Sequence, residues 1–263
     1  MGKKNFTRKN LSNKIENESK YFMRYDDHAQ KKLGNRYFVR SLYFDNQISS
    51  NFYEKVDGYT FNPSLFKKLG ARNYLEFTSE ILKYTGNKSV SIEIFADNEK
   101  DCFEQALKIN SINKNIVVKI PISYTNGKST INLIKRLITE KINLNITAIF
   151  TIEQVKYILS EIRDTNTILS IFSGRLFDIG LNASEIFFEI SSYVHNNSSC
   201  RTLWASCRIA YDYELAKKSD ADIITMPTNL ISKLDKFGYS PLKCSADTVK
   251  MFFEDAKKSN FKI

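Results

Sequence analysis

Short apolar runs, rich in β-branched and aromatic residues, recur along this chain and alternate with stretches of helical period. The runs lie at 37–45, 58–64, 90–96, 115–122, 144–150, 168–174, 202–208 and 222–227. They are mostly apolar on both faces, as strands of a parallel sheet covered on both sides should be. Between them, helices are predicted over 99–108, 129–140, 152–159, 182–196, 211–219 and 245–258. Thr151 followed by Gln154 reads as a capping box for the helix opening at Ile152. Strands alternating with helices in this way predict an α/β chain folded as a (β/α)8 TIM barrel, with an open doubly wound sheet as the alternative. Residues 1–36 show no sustained apolar period and read as a loose extension before a barrel at 37–263.

Composition narrows the class. The 263 residues suit one large domain or two modest ones, and 42% hydrophobic with 26% charged is ordinary for a globular protein. Nine glycines exclude collagen, and 19 Phe with 14 Tyr exclude general disorder. No apolar run approaches the ~18 residues that cross a bilayer. The start, MGKKNFTRKN, reads neither as a signal peptide nor as a myristoylation site, since Phe6 stands where Ser or Thr is required. Cys102, Cys200, Cys207 and Cys244 are widely spaced, which suggests reduced thiols and a cytoplasmic protein. With only His28 and His195, a histidine metal centre or a Ser-His-Asp triad is disfavoured. Phosphate-cradling glycine loops are missing too. The net charge is +10, but residues 1–40 hold 11 Lys and Arg against 4 Asp and Glu. The basic character is therefore a tail, and no motif beside it points to a specific nucleic acid.

A TIM barrel carries its chemistry at the C-terminal ends of its strands. Polar residues interrupt the apolar runs or come directly after them: Asn62, Glu93, Asp97, Lys119, Asn145, Thr147, Ser170, Arg175, Ser206 and Arg208. One such residue is usually structural, because burying it is costly unless it is satisfied. Most strands contributing one are better explained by a shared polar pocket. Lys119, in NIVVKIPI, is the most informative of them. Burial disfavours an ammonium, and a neutral amine is the nucleophile that forms a Schiff base with a carbonyl. The bland alternative is a lysine snorkelling from a strand edge.

Seven segments, GYTFNPSLFKKLG, VSIEIFAD, VVKIP, LNITAIFTIEQ, SIFSGRLFDIG, LWASCR and DIITMPTNL, resemble in order the barrel-strand motifs of the transaldolases. The resemblance covers about residues 58–255. It implies a class I aldolase that moves a dihydroxyacetone unit between sugar phosphates through a lysine Schiff base, without metal or cofactor. By this resemblance Lys119 is the Schiff-base lysine, Glu93 an acid–base group acting through water, and Thr147 the residue holding that water. Asn62, Asn145 and Ser170 would bind substrate hydroxyls. Arg175, Ser206 and Arg208 would bind the sugar phosphate, a task to which guanidinium forks are suited. The related fructose-6-phosphate aldolases resemble a pocket with Gln and Tyr where this chain has Glu93 and Phe172. A transaldolase is therefore expected first, then such an aldolase, then a catalytically impaired phosphosugar-binding homologue. Homo-oligomers are compatible with this reading.

Two departures stand out. Phe61 occupies a place usually held by Thr and is expected to narrow the mouth near Asn62. In addition, YFVRSLYFDNQISSNFYEKVDG resembles part of the VTC domain, a polyphosphate polymerase fold, over about residues 20–58. That is too little of the tunnel to carry polyphosphate synthesis. A junction near 56–58 is expected, with 37–45 replacing the first barrel strand and Asp45 falling where transaldolases place a catalytic aspartate.

Overall fold

The computed structural model describes residues 57–259, 261 and 262, together with the backbone of 20–24. Seven parallel strands succeed one another around a barrel: β2 (Gly58–Phe61), β3 (Ser89–Glu93), β4 (Ile116–Pro121), β5 (Leu144–Ile149), β6 (Ile168–Ile171), β7 (Arg201–Trp204) and β8 (Ile223–Pro227). Helices connect them, as the alternating pattern predicts. The barrel is closed by β1 (Lys20–Arg24), which runs antiparallel to both neighbours, pairing Tyr21 with Tyr59 on one side and with Met226 on the other.

That closure corrects the expectation for the N-terminal part. The strand between β2 and β8 comes from within the supposedly loose extension, and 37–45 lies outside the described residues, as does Asp45. The physical demand was legible but its source was not. An open barrel leaves two edges with free N–H and C=O groups, and an extended segment running in either direction can satisfy them.

Side chains alternate across each strand. Ile92, Ile116, Val118, Ile120, Ile146, Leu169 and Ile171 are buried and alternate with the polar positions. Inside the barrel, the hydroxyls of Thr60 and Thr225 lie 3.0 Å apart. Phe61, one residue on, therefore turns outward. It is fully buried, edge-on to Phe66 at 5.7 Å, and does not narrow the mouth. β2 also ends at Phe61 rather than continuing to residue 64, because Asn62 caps a helix, Pro63–Leu69. Asn73 likewise caps Tyr74–Thr85. Neither helix was anticipated, although Asn before Pro at a first helical position is a start signal. The capping box at Thr151 and Gln154 forms as expected.

Residues Ser232–Ile263 form a second compact unit. Its helix, Pro241–Lys258, begins four residues before the predicted start, on a Ser240 cap that accepts from the Lys243 N–H at 3.2 Å. Among the described residues no helix is long and apolar enough to cross a membrane.

At the N-terminal mouth of the barrel, His195 sits between two carboxylates. Its Nδ1 is 3.0 Å from Asp220 and its Nε2 2.8 Å from Asp222. Asp222 also accepts from the Thr202 N–H at 2.7 Å, tying the helix Ala183–Asn197 to β7 and β8. The Asp222 hydrogen bond leads in pushing the imidazole up to about 9, against the effect of burial. The native state thus holds a proton that the unfolded chain releases near pH 6.5. The stabilisation is complete below about pH 6.5 and is lost as pH rises through about 9, a change on the order of 2 kcal/mol for a partly exposed group. Urea midpoints should fall between these limits, and less steeply in His195→Gln. Equal slopes for the two proteins would show that the imidazole carries no such proton.

Candidate active site

Glu93 closes β3 and Lys119 lies one strand over, paired with it in register. Both side chains point into the barrel, and Lys119 Nζ donates to Glu93 Oε2 at 2.7 Å. Lys119 is 7% exposed, so this ion pair is largely shielded from water. The Glu93 carbonyl is held from behind by the Tyr74 hydroxyl, which donates to it at 2.5 Å. Burial, then the Glu93 charge, pushes the Tyr74 phenol upward, so it remains a donor. A cavity of about 260 Å³ is bordered by Pro63, Glu93, Ile120, Pro121 and Tyr124.

A buried polar chain links β6, β5 and β3 across the barrel interior. Ser170 Oγ donates to Asn145 Oδ1 at 2.6 Å, and Asn145 Nδ2 donates to Ser91 Oγ at 3.1 Å. Asn145 and Ser170 were expected at the site, whereas Ser91 was not singled out. β5 carries a bulge between Ile146 and Ile149, with Ala148 at φ 60°. A bulge inserts one residue and re-aims its neighbours, and bulges are common beside active sites. Thr147 lies within this bulge, and its buried hydroxyl has no hydrogen-bond partner among the described residues. Asn62 keeps its place at the end of β2, with Oδ1 committed to the Leu65 N–H at 2.8 Å. Asp97 borders the same cavity as Glu93, and its carboxylate accepts from the Thr125 N–H at 2.7 Å.

Across the mouth, Phe172 stands between the two halves of the site. Its ring centroid lies 5.9 Å from Lys119 Nζ, and the Arg175 guanidinium is 5.1 Å from the same ring. Arg175 is carried by a short helix, Ser173–Asp178, directly after β6. Gly174, beside it, lies against the loop after β7. A Cβ added at Gly174 would meet the Ser206 carbonyl oxygen at 1.6 Å and Arg208 Cγ at 3.2 Å. Only glycine allows this approach. Ser206 itself takes a left-handed φ of 67°.

Two acids hold Arg208. Asp212 is fully buried and accepts from the Arg208 N–H at 2.7 Å, the Ile209 N–H at 2.9 Å and Trp204 Nε1 at 3.2 Å. Asp178 takes the side chain: Arg208 Nε lies 3.1 Å from both carboxylate oxygens, and Nη2 bonds one of them. Hydrogen bonds from Arg208, then the charges of Arg208 and Arg175, hold the Asp178 carboxyl below its ordinary range. Neither acid was picked out from the sequence, since an Asp in a polar helix reads as a solvated charge. The spacing of Asp178 three residues after Arg175 was the one available signal. The arrangement joins a shielded amine–carboxylate pair to a cluster of two arginines and an aspartate at the rim.

A family model described as transaldolase/fructose-6-phosphate aldolase matches residues 44–263. The chain belongs to this family. A probable transaldolase of Bartonella henselae is 33% identical over 230 residues, covering 87% of this chain and 99% of the relative. One from Thermoplasma volcanium is 33% identical over 207 residues, covering 77% and 86%. Among solved structures, a mandelate oxidase variant with an FMN adduct matches with a TM-score of 0.50 at 12% identity, covering 70% of this chain and 59% of the oxidase. At that identity the likeness concerns the barrel fold alone.

Proposed function

We propose that the protein is a transaldolase, transferring a dihydroxyacetone unit from a ketose phosphate to an aldose phosphate. The observation that carries this reading is the shielded Lys119–Glu93 pair at the C-terminal ends of adjacent strands. Glu93 takes a proton from Nζ, and the free amine attacks the C2 carbonyl of the ketose. A C–N bond forms, the carbonyl oxygen is protonated and leaves as water, and the lysine iminium draws electrons from the C3–C4 bond. That bond breaks as the C4 hydroxyl gives up its proton, and the shortened aldose departs. The three-carbon enamine then adds to the aldehyde of the acceptor, and water releases the new ketose from Lys119.

Neighbouring groups suit these steps. A water bound at the unpartnered Thr147 hydroxyl could relay protons to Glu93, which an amide in place of the carboxylate could not do. Asn145 and Ser170 offer hydrogen bonds to substrate hydroxyls. Glu93 and Phe172 favour a transaldolase over a fructose-6-phosphate-type aldolase, whose pocket resembles one with Gln and Tyr there. The test is transfer from fructose 6-phosphate to erythrose 4-phosphate in a coupled assay. Release of free dihydroxyacetone without transfer would favour the aldolase instead.

Arg175 and Arg208 would hold the phosphate of both substrates. A charge-assisted hydrogen bond contributes about 1.5–3 kcal/mol. Replacing either arginine with Ala should therefore lower kcat/KM for fructose 6-phosphate about ten- to hundredfold, with little change for fructose. Equal losses with both donors would give these arginines another task.

A further inference from the structure

We propose that Asp178 is a positioning residue that aims the Arg208 guanidinium at the substrate phosphate. The proposal rests on the phosphate reading of Arg208 given above. A guanidinium presents five N–H groups in one plane. Asp178 occupies the edge made by Nε and Nη2. The edge formed by Nη1 and the remaining N–H of Nη2 keeps two parallel donors, the geometry that suits two phosphate oxygens.

Three contacts leave this side chain little freedom. Its backbone N–H is bound to the buried Asp212. Its stem runs beside Gly174, where no Cβ intervenes. Its head is gripped by Asp178. The arginine and aspartate side chains are 43% and 46% exposed, and surface ion pairs of that kind add little to stability. Placement is the contribution of this pair. It comes with a cost in attraction, because the carboxylate repels a phosphate, and Arg175 offsets that charge at the same rim.

Immobilising one rotamer-rich side chain on binding costs about 0.5–1.5 kcal/mol, so freeing Arg208 by Asp178→Ala should raise KM for fructose 6-phosphate about two- to tenfold. KM for fructose should stay unchanged, as should kcat. Asp178→Ser, small and polar but too short to reach the fork, is a second variant with the same expectation. In an Arg208→Ala background, neither change should raise KM further. A merely structural role would raise KM in that background too. The Arg208→Ala protein alone tests the underlying reading: if it fails to separate fructose 6-phosphate from fructose, the phosphate assignment itself falls. If it separates them while Asp178→Ala leaves KM unchanged, only the positioning role is overturned. A fall in KM would mean that the carboxylate competes with phosphate, and equal rises for both donors would mean general damage. Either result overturns the proposal.

Discussion

Lys119→Met should abolish transfer while leaving the barrel folded. Methionine keeps most of the lysine volume and points into the barrel as the lysine does, so packing is little disturbed. The amine disappears, and with it the covalent route. The loss should be roughly a thousandfold or more, since β3 and β4 carry no other amine to form the Schiff base. Two measurements check this. The coupled assay should read near background, and borohydride added with fructose 6-phosphate should trap a mass adduct on the wild-type protein but none on the variant. Unchanged far-ultraviolet dichroism would exclude misfolding as the cause. Substantial residual turnover would sink the Schiff-base assignment.

Gly174→Ala should damage the rim almost as badly, although it adds one methyl group and touches no charge. The new carbon would stand 1.6 Å from the Ser206 carbonyl oxygen, a backbone atom that cannot swing aside as a flexible side chain would. Either the turn after β7 or the short helix carrying Arg175 must move. Overpacking of this kind commonly costs about 1–3 kcal/mol, so the melting temperature should drop by several degrees. The catalytic signature is more specific. Because both arginines sit on the displaced segments, KM for fructose 6-phosphate should rise steeply while borohydride trapping with dihydroxyacetone continues. A variant with unaltered KM would mean that the two loops part without consequence for the phosphate.

The readability of this protein tracked physical visibility. Lys119 stood out because a charged residue inside NIVVKIPI has few explanations, and Glu93, Asn145 and Ser170 were visible for the same reason. The parallel strands announced themselves through apolar runs too short for buried helices. Tertiary relations left weaker traces. Nothing in LNITAI marks a bulge, yet the irregularity at Ala148 sits beside the one unpartnered hydroxyl of β5. Asp212 has the composition of an ordinary helix start, and only the fold reveals three N–H groups converging on it. Phe61 was misjudged by one step of the strand alternation, since Thr60 and not Phe61 faces Thr225. The closing strand escaped because KYFMR resembles any short apolar patch in a polar tail.

The direction of that closing strand rewires the loops of the barrel. After a parallel strand, the chain emerges at the catalytic end. In β1 the order is turned around: Lys20 lies across from Pro227, whereas Arg24 lies across from Ile223 at the far end. The chain leaves Arg24 and re-enters at Gly58 on that same far side, so its two anchor points are those of a hairpin rather than a crossover. Those anchors lie about the length of β2, roughly 13 Å at about 3.3 Å per residue, from the level of Glu93 and Lys119. In this barrel the first strand begins, rather than ends, at the face where Glu93 and Lys119 lie.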